Sequence, residues 1–229
     1  MSRAYGRTVL AAAAGLIVPA VLILLSVPRL IEGIGTERAL PAVNAGIFGD
    51  RLPIDRWRYA ANDLSQTMPN NGDGLIRRAE MLYLAANGNL EGQAQAKAMV
   101  VDGLTLAPAN PRGWTLLCEI DARIALNEAP RCMDTGFFVA PFDWFVAPRR
   151  ALLAAELWPT LDPDVQGAAA RRVRLMWESD RWDDHRIRDV LYDVYRTPYG
   201  AALLTAGFRS DHDELRTFNR WLIHQQMHG

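Results

Sequence analysis

Two seven-residue stretches, DGLTLAP at residues 102–108 and TGFFVAP at residues 135–141, share a glycine at their second position and end in Ala-Pro. They begin 33 residues apart, a period typical of stacked helical hairpins. In the segments around them, apolar residues recur at intervals of three and four, which indicates helices, and alternating strand patterns are scarce. The sequence therefore predicts an all-α fold built partly of repeated helical hairpins.

Around these stretches the chain resembles the tetratricopeptide repeat family, over residues 72–158. In that family the second helix of each hairpin carries small residues and a bulky apolar residue, and it ends at a proline. The positions that match are Ala96, Val100, Gly103, Pro108, Trp114, Leu117, Ala129, Met133, Gly136 and Pro141. Two positions depart from the pattern, because Cys118 stands where the family usually has glycine and Asp121 where it has an aromatic residue. The resemblance implies an array that binds other proteins; the alternative is an unrelated helical bundle.

Capping signals indicate where several helices begin. Three pairs place a capping side chain before a proline suited to the first helical position, namely Asn110-Pro111, Asp162-Pro163 and Thr197-Pro198. Asp211 and Glu214 have the spacing of a capping box, and Gly207 suits the end of the helix predicted from Pro198. The helices predicted near 163–178, 183–196, 198–206 and 211–227 do not continue the repeat. We interpret residues 159–229 as a cap that covers the last hairpin.

An uncharged run at the amino end predicts a membrane anchor. Residues 8–28 contain no charged side chain, and as a helix they would be roughly 31 Å long, enough to cross a bilayer. Arg3 and Arg7 precede the run, as in both an export signal and an uncleaved signal anchor. The expected order is a cytoplasmic tail at 1–7, a transmembrane anchor at 8–31, a juxtamembrane linker at 32–53, helical hairpins at 54–158 and the cap at 159–229.

This arrangement predicts a single-pass protein of the inner membrane with its C-terminal domain in the periplasm. Two alternatives remain open: a cleaved export signal in place of the anchor, and a tethered domain on the cytoplasmic side. The plan is similar to small accessory proteins of bacterial polysaccharide synthesis and export, and to membrane-tethered repeat proteins of cytochrome c maturation. It implies membrane or envelope proteins as partners and contact with the bilayer through the anchor.

Composition narrows the possible function. The 229 residues carry 25 basic and 26 acidic side chains, for a formal net charge of -1, so the whole chain has no electrostatic basis for binding nucleic acid. Half of the residues are hydrophobic, which excludes a disordered chain.

The two cysteines, Cys118 and Cys132, fall on the two antiparallel helices of one predicted hairpin. Their heights along the helices predict that they face each other, and in an exported domain a disulfide between them would stabilise the fold. The alternative is a pair of buried thiols that pack as small hydrophobic groups.

No catalytic residue, cofactor or metal site is predicted. The chain has no HExxH, no Cys-x-x-Cys and no glycine-rich phosphate loop, and we interpret His224 and His228 as part of a solvated terminal helix. The competing hypothesis is a periplasmic helical hydrolase or lyase that acts on glycans. It would use carboxylates and histidines from residues 180–214, and its candidate residues are Asp183, Asp184, His185, Asp211, His212 and Glu214.

The strongest candidate surface is the segment FFVAPFDWF at residues 137–145, with five aromatic residues and one charge. Part of it must fill the core between helices, and the remainder can anchor a partner chain or contact the membrane surface. The candidate partner-binding residues are Phe137, Phe138, Phe142, Trp144 and Phe145. The sequence as a whole predicts a membrane-anchored periplasmic scaffold or adaptor rather than an enzyme.

Overall fold

A computed structural model describes residues 26–27, 30, 37, 39, 41–42, 44–45, 52–68, 71–141, 143–179 and 186–228. These residues contain no β-strand, and the prediction of an all-α fold is confirmed. The helices of the part from residue 52 onward are α1 (Ile54–Thr67), α2 (Gly72–Ala86), α3 (Leu90–Leu106), α4 (Pro111–Ile124), α5 (Ala129–Val139), α6 (Ala147–Leu157), α7 (Pro163–Glu178), α8 (Arg186–Arg196), α9 (Gly200–Gly207) and α10 (His212–His228). A short 3-10 turn, Trp158–Thr160, follows α6.

Side-chain caps begin several of these helices as predicted. The Asn110 side chain accepts a hydrogen bond from the Gly113 backbone N–H at 2.9 Å at the start of α4, and Asp211 accepts one from the Glu214 N–H at 3.0 Å in α10. These bonds satisfy donors that the first helical turn leaves free.

Two of the predicted boundaries differ in detail. Asp162 stands at the N-cap position of α7, but its side chain makes no capping hydrogen bond. Helix α9 begins at Gly200 rather than Pro198. The Gly200 N–H donates to the Thr197 carbonyl at 3.2 Å, so residues 197–200 form a turn before the helix starts.

The helices pack mainly on their sequence neighbours. α2 pairs with α3 and α4 with α5, and each of the helices from α1 to α7 contacts the next one. α2, α4 and α6 also pack side by side, because α4 contacts both of the others. Beyond the hairpins, α6 packs against α7, α8 and α9, so it lies at the junction between the hairpins and the C-terminal helices.

The last helix is held by an aromatic cluster rather than by hairpin contacts. Phe208 and Phe218 are stacked with their ring centroids 4.9 Å apart, and Trp177 meets Phe218 edge to face at 5.1 Å. Both phenylalanines are buried. Aromatic packing of this kind buries Phe218 of α10 against α7 and the end of α9.

A second, smaller core lies at the amino end of the described region. Three alanines, Ala39, Ala42 and Ala45, are helical and buried in a cluster with Trp57 and Leu64 of α1. They belong to the stretch 32–53 that was predicted as a linker, and the structure gives this part of it a packed helical face.

The predicted anchor at residues 8–31 lies outside the described residues except for Ser26, Val27 and Leu30. Among the helices that the structure describes, none combines the length and the apolar character that crossing a bilayer requires.

Gly103 sets how closely α3 approaches α2. A Cβ atom at this position would lie 2.7 Å from Cγ1 of Ile76 and 3.0 Å from the backbone oxygen of Gly72. Ile76 is completely buried, so it has little freedom to move aside. The glycine of the first seven-residue stretch is therefore required by helix packing rather than by a turn.

We predict that Gly103→Ala destabilises the fold by about 1–3 kcal/mol, because the added methyl group overpacks the α2–α3 contact. The matched control is Gly167→Ala in α7, where the nearest atom to an added Cβ is the Arg171 guanidinium at 3.4 Å. This control substitution increases the helix propensity of α7 and should raise the free energy of unfolding by up to about 1 kcal/mol. Urea denaturation of both variants tests the difference in sign; equal effects would contradict the close approach.

Candidate functional site

A buried carboxylate joins three helices at the centre of the hairpins. Glu80 of α2 is completely buried, and its two oxygens accept hydrogen bonds from Arg149 of α6 and from Arg112 of α4, the latter at 3.4 Å. Arg149 also forms a two-point ion pair with Glu119 of α4, with 2.7 Å between Nε and Oε1. Buried charges are tolerated only when they are paired and hydrogen-bonded in this way.

The pKa shifts follow from this burial and pairing. Burial by itself lowers the pKa of Arg149, but Glu119 and Glu80 outweigh that effect, and the pKa lies above its ordinary value. Burial lowers the pKa of Arg112, which has only the longer contact to Glu80. Arg149 is therefore held as a permanent cation between two carboxylates.

A cleft opens beside this network, across α2, α4 and α6. It has a volume of about 170 Å³ and is lined by Tyr83, Glu119, Arg123, Arg149, Leu152, Leu153 and Glu156. At its rim, Arg123 forms an ion pair with Glu156 at 3.2 Å. Burial, and then the nearby Glu119, raises the pKa of Tyr83, so its hydroxyl stays protonated at neutral pH. The cleft thus combines paired ions, a phenol and two leucines.

The neighbouring residue Arg150 organises a different region. Its guanidinium donates to Thr115 Oγ1 at 2.9 Å and to the backbone oxygen of Ala140 at 2.7 Å, and it lies over the Phe137 ring at 5.5 Å. Burial lowers its pKa to about 10. From α7, Arg172 donates to the Pro141 carbonyl. Two arginines therefore fix the backbone just after α5.

The aromatic segment divides between core and surface. Phe137 is buried, and Trp144 is partly buried beneath Arg172, with 5.3 Å between guanidinium and ring. Phe138 and Phe145, in contrast, are 86% and 66% exposed. Phe142 lies outside the described residues. Of the five candidate partner-binding residues, the structure therefore leaves two rings open to solvent and uses two in packing.

The structure places the two cysteines together across the α4–α5 hairpin. Their Cα atoms are 5.4 Å apart, and the sulfur atoms are joined as a disulfide. Both side chains are buried. Whether the bond forms in the cell stays a prediction that depends on the compartment.

The carboxylates and histidines proposed for a glycan-cleaving enzyme do not form one described site. Asp183, Asp184 and His185 lie outside the described residues. Asp211 caps α10 and also pairs with Arg174 at 3.3 Å, while Glu214 accepts a hydrogen bond from the Trp177 indole. In the described part of the chain, no three metal-ligating side chains are grouped so that they could hold an ion.

Sequence reasoning missed the Glu80 network and the cleft. One signal was present: Glu80 follows Ile76 by four residues and precedes Tyr83 by three, so it falls on the apolar face of its helix. A charge in that position indicates a buried partner, but its identity depends on how the helices pack. Comparison with known proteins adds no assignment, since no family model, curated protein or solved structure matches the chain.

We predict that Glu80→Gln costs about 3–5 kcal/mol of folding free energy, because it removes the carboxylate paired with Arg112 and one of the two carboxylates paired with Arg149. The matched control is Glu178→Gln, which alters an exposed pair with Arg174 within α7 and should change stability far less. Urea denaturation followed by circular dichroism measures both. A loss no larger than that of the control would show that the network does not stabilise the fold.

We predict that the Cys118→Ala/Cys132→Ala double variant loses about 3 kcal/mol of stability under oxidising conditions, the value expected for a loop of this length. The two sulfurs are separated by 14 residues in sequence. Dithiothreitol should destabilise the native chain and leave the double variant unchanged. If the unsubstituted chain is unfolded without reductant and two thiols can then be titrated, the disulfide is contradicted.

Proposed function

We propose that this chain is a membrane-anchored scaffold whose tetratricopeptide-like domain lies in the periplasm and binds other envelope proteins. One observation carries the proposal: two phenylalanines of the segment 137–145, Phe138 and Phe145, are exposed on a backbone that two buried arginines hold in place. Exposed aromatic rings on a rigid support are typical anchors of protein interfaces, since little entropy is lost when they bind.

The packing of the helices supports a repeat array. α2 with α3 and α4 with α5 form successive pairs, and each of the two glycines of the seven-residue stretches faces the preceding helix of its hairpin. A Cβ atom on Gly136 would be 3.6 Å from Cβ of Trp114 and 3.4 Å from the Arg150 guanidinium, which is ordinary contact distance. Gly136 thus faces the preceding helix of its hairpin as Gly103 does, but the approach at Gly136 is less close.

The two departures from the family pattern have structural partners. Asp121 forms an ion pair at 2.7 Å with Lys97 of α3, which also pairs with Glu128 at 2.7 Å. Cys118 is joined to Cys132 of α5. Each departure therefore replaces a packing contact of the family with a polar or covalent link to a neighbouring helix, which is compatible with the proposed array.

Site-specific photocrosslinking in cells tests the scaffold. A photoreactive phenylalanine analogue at Phe138 or Phe145 of the full chain should give discrete adducts with a membrane or envelope protein. The matched control is the same analogue at Leu106, which is 60% exposed at the end of α3 and should give none. Adducts of equal yield at all three positions, or none at any, would contradict a partner surface at residues 137–145.

The predicted anchor has its own test. A reporter enzyme active only in the periplasm, fused after residue 229, should be active, and the chain should remain in the membrane after alkaline carbonate. Deletion of residues 1–28 should abolish both results, because it removes the uncharged run. Release of the undeleted chain by carbonate would contradict the anchor.

A further inference from the structure

The cleft across α2, α4 and α6 already contains matched charges. Arg149 is paired with Glu119 and Glu80, and Arg123 is paired with Glu156. A charged ligand would have to displace one member of such a pair and leave its partner without a counter-charge. That is costly for Arg149 and Glu119, which lie deep in the cleft with side chains 10% and 17% exposed. The charges therefore favour a neutral ligand.

The paired ions still have hydrogen-bonding capacity. Each carboxylate oxygen has two lone pairs, and a guanidinium has more N–H groups than its ion pair uses. In the cleft, Arg123 and Tyr83 are hydrogen-bonded to each other, and the N–H and O–H groups that this bond leaves share the lining with acceptors on Glu119 and Glu156. A hydroxyl group is both donor and acceptor, so adjacent hydroxyls match this alternation without disturbing the ion pairs.

The remaining walls and the size of the cleft restrict the ligand further. Leu152, Leu153 and the Tyr83 ring supply apolar surface, which suits the C–H face of a ring. The volume of about 170 Å³ is below that of pockets for drug-sized ligands, so it fits a single ring. We propose that this cleft binds one neutral sugar ring through its adjacent hydroxyl groups.

The test uses the full chain in lipid nanodiscs, because detergents with sugar headgroups would compete. The probes are the methyl glycosides of glucose, galactose and mannose, with glucuronate, lysine and triglycine as comparators. Ligand-observed saturation-transfer NMR and calorimetry should show saturable binding of at least one neutral glycoside. The three comparators should bind more weakly than that glycoside.

Variants assign the binding to the cleft. Glu156→Gln and Tyr83→Phe should each weaken the glycoside about tenfold, the loss expected for one hydrogen bond to a charged or buried group. Leu152→Trp should block the cleft and abolish binding. Glu178→Gln is the matched control, because Glu178 is a similarly exposed carboxylate in an arginine pair outside the cleft, and it should bind like the native chain. Circular dichroism verifies that each variant is folded.

Several outcomes would overturn the proposal: no saturable binding of any neutral glycoside, tighter binding of glucuronate, lysine or triglycine, or binding that folded Leu152→Trp retains. The sugar site and the scaffold are separate hypotheses, since crosslinking at Phe138 and Phe145 does not involve the cleft. If glycoside binding is observed without crosslinking, the scaffold hypothesis fails; if crosslinking is observed without glycoside binding, the sugar site fails.

Discussion

The buried carboxylate of Glu80 is the constraint on which the arrangement of the hairpins depends. It accepts hydrogen bonds from Arg112 and Arg149 at a position without solvent exposure, so α2 must meet α4 and α6 in one register for this carboxylate to be paired. Apolar packing alone tolerates small shifts between helices, whereas a buried ion network does not. Its contribution is therefore to specify one packing of the hairpins as well as to stabilise it.

The helices themselves were predictable because their signals are local. The cap at Asn110 and the end of α9 at Gly207 depend on residues within one or two turns. The burial of adjacent aromatic residues was harder to predict. Phe137 is buried and Phe138 is exposed, and this difference depends on the exact rotation of α5 about its axis. The Glu80 network and the cleft depend on contacts between residues up to 69 positions apart, which no local pattern encodes.

The cleft derives its rigidity from the same network. Arg149 is at once the partner of Glu80 in the core and part of the cleft wall, so a ligand meets groups whose positions are already fixed. Binding to such a surface loses little conformational entropy. The rim pair of Arg123 and Glu156 is more exposed, and it is the part of the cleft with freedom to adapt.

Helix α6 supports both proposed sites through two consecutive residues. Arg149 points to α2 and α4 and the cleft, while Arg150 points to the end of α5 and the aromatic segment. Coupling between two sites requires an element with two alternative arrangements. Both arginines are instead held in a single arrangement by several hydrogen bonds. The geometry therefore favours independent occupation at a fixed separation. A scaffold that holds a sugar and a protein at constant distance needs this property rather than allosteric communication.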